Sequence, residues 1–181
     1  MINSKEKLTE YLNYERSLYI YGGKLNEIKL WLLKDSDYLL WHYIKMLRMT
    51  EYHYNLGHRL RYYIYQRKKN IEGARLGLSI FHNTVGKGFR IYHYGTVIIN
   101  SNAEIGDDCQ IHGDVCVGNK GGESRFEAPK LGDNVDIGIG AKIIGGITIG
   151  NNIKIGANAV VTKSELRDGV TLVGAPAHIV K

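Results

Sequence analysis

Proline and cysteine are nearly missing from this 181-residue chain, which has two of each. Cys109 and Cys116 are too few for a disulfide framework and lack the paired spacing of a metal site. A reducing cytoplasm is the expected compartment. No apolar run approaches the ~18–20 residues that span a bilayer. The opening MINSKEKLTEY lacks the apolar core of a secretory signal. Acid is also short relative to base, leaving a formal net charge of +6. The densest basic stretch, RLRYYIYQRKK at 59–69, has five positive residues and no acid. It reads as a solvated helix face or as a peripheral contact with an anionic membrane surface. No nucleic-acid motif accompanies it, so nucleic acid is not an expected partner. With 44% hydrophobic and 23% charged residues the chain is globular, not disordered.

Both prolines fall late, at Pro129 and Pro176, and residues 1–75 contain none. That part reads as an N-terminal helical segment. Ser4 ahead of KEKLTEYLNYERSLY is an N-cap signal. Asp35 or Ser36 opens a second helix over 35–54, with Leu39, Leu40, Tyr43, Ile44 and Leu47 at helical spacing. A third is predicted over 58–71.

From residue 85 a six-residue beat takes over. Its leading aliphatics are Val85, Ile91, Ile99, Ile105, Ile111, Val117, Leu131, Ile137, Ile143, Ile149, Ile155 and Val161. Seven of these twelve are followed directly by Gly. Position five is also small or aliphatic, as at Ala103, Cys109, Val115 and Ala141. Six fits neither a helix nor a free-standing strand. The physical solution is a prism: each hexad supplies one short strand and a corner, and three hexads make an 18-residue coil. The leading aliphatic points inward. Gly beside it allows unusual dihedrals or close backbone approach at the corner. Coils then stack at the ~4.8 Å sheet spacing.

The beat breaks twice. At IYHYGTVII (91–99) two extra residues enter, with His93 between two tyrosines. At GNKGGESRFEAPK, Val117 and Leu131 lie fourteen residues apart where six are due.

The hexad series resembles the left-handed parallel β-helix of hexapeptide-repeat acyltransferases over roughly 80–181. Within that group residues 91–131 resemble serine acetyltransferases, and VGAPAHIV at 173–180 is similar to that family's ending. IYHYGTVIIN followed by IHGDVCVGNKGG looks most like the branch of capsule and exopolysaccharide O-acetyltransferases. The expected fold is therefore mainly β: a left-handed parallel β-helix of about five coils with an N-terminal α-helical segment. Its expected parts are helices over 1–75, a catalytic β-helix over 76–166 with a protruding loop at 118–130, and a tail over 167–181.

The resemblance implies acetyl transfer from acetyl-CoA to a hydroxyl, without a metal, in a homotrimer whose sites lie between subunits. His93 falls on the family's catalytic base. An imidazole on a bulge can take a proton from an alcohol as it attacks a thioester. The loop implies a border to the acetyl-CoA and acceptor sites. Carried over residue by residue, Gly118 and Asn119 lie near the thioester, where their N–H groups would hold an oxyanion. Ile139 and Ala157 line the groove and Lys154 meets the nucleotide. Ile139 stands where the family usually has alanine.

The acceptor side departs from serine acetyltransferases. Tyr92 replaces an aspartate beside the base, Glu127-Ala128 replaces Arg-His before the loop proline, and Leu78 stands at an upstream aspartate. A zwitterionic acceptor needs charge partners. Tyr92 and Tyr94 offer aromatic faces for a sugar ring instead, with His112, Asp114 and Glu127 as polar partners for acceptor or base. The expectation is thus a sugar or polysaccharide O-acetyltransferase, with serine O-acetylation as the alternative. A zinc-dependent carbonic anhydrase on the same fold would need closely paired histidines. His82, His93, His112 and His178 are not so paired. A non-enzymatic scaffold would show an unbroken beat.

Overall fold

The computed structural model describes residues 1–180. Four helices come first: α1 (Lys5–Tyr19), α2 (Lys24–Leu33), α3 (Ser36–Asn55) and α4 (Arg59–Leu76). Ser4 caps α1 by accepting from the Lys7 N–H, and Asp35 caps α3 by accepting from Asp37. The sequence predicts three helices; α2 is the addition. It buries none of its residues, so no apolar stripe marks it. α4 runs five residues past its predicted end and stops at Gly77, whose φ of +74° closes the helix.

Fourteen short strands follow among the described residues, wound as a left-handed parallel β-helix of five coils. The first face stacks β1 (Leu78–Ile80), β3 (Val97–Ile99), β6 (Cys116–Gly118), β9 (Lys142–Ile144) and β12 (Val160–Val161). The second stacks β4 (Glu104–Ile105), β7 (Lys130–Leu131) and β10 (Thr148–Ile149), extended by single bridges at Val85 and Glu165. The third stacks β2 (Arg90–Ile91), β5 (Gln110–Ile111), β8 (Asp136–Ile137), β11 (Lys154–Ile155) and β13 (Thr171–Val173). β14 (His178–Ile179) then returns antiparallel to β13. Of the residues 167–181 expected as a tail, Thr171–Val173 stack on β11 as the third face of the last coil, and residue 181 lies outside the described residues.

All twelve hexad leads are buried, with Ile91, Ile99, Ile111, Val117, Ile137 and Ile143 fully so. In register, Ile91 stacks on Ile111 and Ile111 on Ile137, forming a continuous aliphatic column. Each such side chain contributes roughly 1.5–3 kcal/mol by leaving water. At the edge between the second and third faces the glycines serve close approach. A Cβ on Gly106 would lie 2.5 Å from the Gly132 carbonyl oxygen. Side chains bind the same edge: Asp107, Asp133, Asn151 and Asp168 accept in turn from the N–H of Lys87, Asp107, Asp133 and Asn151.

The first coil has no coil above it, and its ladder groups meet helix side chains instead. Tyr19 accepts from Ile91 N–H and donates to the Phe89 carbonyl. Tyr43 accepts from Ile80 N–H, and Lys69 donates to the Ile80 carbonyl. Arg48, 0% exposed, donates to the Val85 and Gly86 carbonyls while pairing with buried Glu15 and Glu51. The helices thereby close an end that would otherwise expose strand groups.

Candidate active site

The first interruption forms the edge between the third and first faces. In the regular coil below it, Ile111 and Val115 turn the corner with three residues between them. The first coil uses five, Tyr92 to Thr96, between Ile91 and Val97. His93 sits on this bulge, exposed, with no side-chain hydrogen bond among the described residues. Two contacts hold the bulge. Gly95 N–H donates to the Leu76 carbonyl at 2.9 Å. Thr96 N–H donates to Asp114 Oδ1 at 3.0 Å. Gly113 lies under His93: a Cβ there would come within 3.4 Å of the His93 carbonyl and 3.5 Å of its Cβ. The missing side chain leaves the histidine backbone room to lean over the edge.

Below His93 the same edge carries Gly113 and Asp114, then Ile139, then Ala157. Gly140 N–H donates to the Gly113 carbonyl and Asn158 N–H to the Ile139 carbonyl, tying these coils in sequence. Ile139 is 46% exposed and Ala157 is exposed, so the edge presents a shallow apolar strip. Lys154, exposed on β11, stands beside it.

Tyr92 is placed differently from its expected role. Its ring stacks on His112 at 4.5 Å and 6°. The Arg90 guanidinium lies 4.4 Å from the same ring centre. A parallel imidazole at that distance leaves no space for a guanidinium on its own side, so both faces are occupied. The hydroxyl donates to Gln110 Oε1 at 2.7 Å. His112 is not free either: its Nε2 lies 2.8 Å from Asp136 Oδ1. Asp136 is absent from the sequence-derived site. Its signal was coil register, since Gln110 pairs with Asp136, and His112 follows two residues on. Tyr94 remains open, at 54% exposure.

The second interruption lies elsewhere. Loop 118–130 leaves at the edge between the first and second faces and contains one 3₁₀ turn at Gly122–Ser124. Asn119 pins it by donating to the Arg125 carbonyl and accepting from Gly121 N–H. Gly118 is buried and accepts from Gly145 N–H at 2.9 Å. Glu127 lies against Gly146, and Phe126 is 71% exposed. A 710 Å³ cleft between the loop and the second face is lined by Asn102, Phe126, Glu127, Lys130, Gly146 and Thr148. Within one chain, then, His93, Asp114, Ile139 and Ala157 share an edge. Gly118, Asn119 and Glu127 share the next, with the first face between them.

That face is unusual for an outer surface. Its outward residues are exposed Ser79 and Ile98, the latter 44% exposed, and half-buried Cys116, Lys142, Ile144 and Val160, with the Lys142 ammonium donating to the Asp114 and Gly140 carbonyls at the neighbouring edge. The second and third faces point Glu104, Lys130, Arg90, Gln110 and Asp136 outward. Cys109 points inward, and burial pushes its thiol up to about 12, which leaves it no thiolate for nucleophilic chemistry.

Residues 128–163 match the family of bacterial transferase hexapeptides (six repeats). Serine acetyltransferase from Helicobacter pylori is 37% identical over 132 residues, 70% of this chain and 77% of that one. The Staphylococcus aureus enzyme is 36% identical over 134 residues, and this chain spans 62% of its length. Among solved structures, Neisseria gonorrhoeae serine acetyltransferase in complex with serine superimposes with a TM-score of 0.74 at 28% identity. It covers 96% of this chain and 69% of its own. A serine acetyltransferase complex with CoA gives 0.75 at 25% identity, covering 97% and 71%. These relatives overturn the sugar acceptor and the capsule branch expected from the sequence. The geometry removes one of the two rings that the sugar argument used: Tyr92 is already covered by Arg90 and His112, while Tyr94 stays open.

Proposed function

The chain belongs to the serine acetyltransferase family of hexapeptide-repeat transferases, and from that premise we propose that it acetylates the hydroxyl of serine from acetyl-CoA, with His93 as general base. It is an O-acetyltransferase. The observation that carries the assignment of His93 is its exposed imidazole, without a hydrogen bond among the described residues, on the two-residue bulge over Gly113. Such a ring is free to take the serine proton as Oγ attacks the thioester carbonyl. Collapse of the tetrahedral oxyanion expels the CoA thiolate, which receives that proton from the imidazolium. No covalent enzyme intermediate is required.

The binding unit is a homotrimer. The largely apolar lower part of the first face, Ile98, Cys116, Ile144 and Val160, supports burial between copies, and an interface there brings the edge of His93 toward the loop edge of a neighbour. Asn119 of that neighbour then offers its N–H to the oxyanion, while Gly118, whose N–H belongs to the pairing of β6 with β9, fixes where Asn119 stands. Acetyl-CoA lies along Ile139 and Ala157, with Lys154 toward its phosphates; the relative solved with CoA supports this co-substrate. Asp114, and Glu127 from the neighbouring loop, are the carboxylates for the serine ammonium. Tyr94 borders the acceptor, while Tyr92 and His112 hold the wall behind it.

Thiol release from acetyl-CoA with L-serine tests the reading. Wild type turns over, and His93→Ala lowers kcat by about 10²–10⁴-fold, the usual worth of a positioned base. Full activity in His93→Ala would remove the base assignment. Turnover on other alcohols but not on serine would remove the acceptor.

A further inference from the structure

The basic helix α4 carries an exposed face that none of the described residues covers. Leu60 is 75% exposed, Tyr63 61%, and Ile64 and Ile71 45% each. Leu60, Ile64 and Ile71 recur at spacings of four and seven, so they form one outward line along the helix. The opposite side, Lys69, Gly73 and Leu76, is the buried one. Arg59, Arg61, Arg67 and Lys68 are exposed beside the apolar line, and none has an ion-pair partner among the described residues. No acid occurs between Glu51 and Glu72. Leu56, in the turn before α4, extends the apolar surface at 38% exposure.

We propose that this face of α4 docks on an anionic membrane surface. An apolar line flanked by cations is the arrangement of a helix that lies in the headgroup region: the aliphatic side chains enter the acyl boundary and the guanidinium groups reach anionic headgroups. A second copy of α4 is a poor occupant, because it would set four unpaired cations against four more. Nucleic acid uses the cations but gains nothing from exposed Leu60, Ile64 and Ile71. The surface is independent of the acyl-transfer chemistry and stands or falls without it.

Vesicle co-sedimentation of the full chain tests the docking, with phosphatidylcholine vesicles prepared with and without phosphatidylglycerol. Retention is expected on the anionic vesicles and not on the neutral ones. The triple variant Arg59→Gln, Arg61→Gln, Arg67→Gln should bind roughly 100-fold more weakly, from the loss of three cations near the surface. Leu60→Glu with Ile64→Glu should weaken binding by about tenfold or more through loss of insertion. All five positions are exposed, and an unchanged thermal midpoint verifies folding. Three results overturn the proposal: no retention on anionic vesicles; unchanged retention of the Leu60/Ile64 variant, meaning a generic polyanion surface; or a drop in its light-scattering mass without loss of vesicle binding, meaning an interface between copies.

Discussion

Lys69 is a cation placed where a cation is costly. It is 4% exposed, and burial pulls its ammonium down from 10.5 to about 8. Its reward is the bond to the Ile80 carbonyl, which the missing coil above would otherwise have supplied. Between pH 8 and 10.5 the folded chain holds this site neutral while the unfolded chain keeps it protonated. The unfolded state then binds more protons, so this group's contribution to stability rises with pH through that window. Relative to Lys69→Met, wild type should gain about 2–3 kcal/mol between pH 7 and pH 10. Urea unfolding of both proteins at the two pH values measures it, and the difference removes what every other group contributes over the same range. An unchanged difference would mean that Lys69 is hydrated in solution. Individual residues were unevenly readable from sequence. His93 stood out because it broke a period. Lys69 looked like one more charge in a basic run, since only the packed fold reveals that its side chain turns inward.

At the scale of elements, the corner glycines separate into two kinds. Gly106 has no positive φ; its constraint is the Gly132 carbonyl 2.5 Å from where a Cβ would stand. Gly121, on the loop, has open space around it but a φ of +74°. Gly106→Ala must push two coils apart and should cost about 1–3 kcal/mol, as overpacking does. Gly121→Ala should cost about 1–2 kcal/mol through backbone strain alone, and leave coil stacking untouched. Chemical denaturation gives both values. Amide exchange on β4 and β7 distinguishes them, rising only for Gly106→Ala. The hexad period showed these elements because inward Ile and Val recur at one phase. α2 was unreadable for the opposite reason: Leu25, Ile28, Trp31, Leu32 and Leu33 all stay exposed, so no buried face imposed a period on them.

At the scale of the molecule, the proposed function divides the site into two halves on one chain. His93 and loop 118–130 occupy successive edges of the prism, and the first face keeps them apart. In the sequence the two interruptions are only two breaks in one six-residue count, and the count alone does not say which edge each break falls on. Register supplies the edge, and the proposed function then calls for a second copy. Ile98, the most exposed aliphatic on the first face at 44%, is the residue to alter. Ile98→Asp sets a charge into a contact that buries apolar side chains, where an unpaired charge costs far more than a lost methyl group. Wild type should scatter light as a trimer of 20.4 kDa chains and the variant as a single chain. The variant's thermal midpoint should persist, because its aliphatic columns lie inside one prism. Its acetyl transfer should fall to the level of His93→Ala, since separating the copies removes the loop from the base. A monomeric variant with full activity would show that each chain carries a whole site, and the loop's role in trans would have to be abandoned.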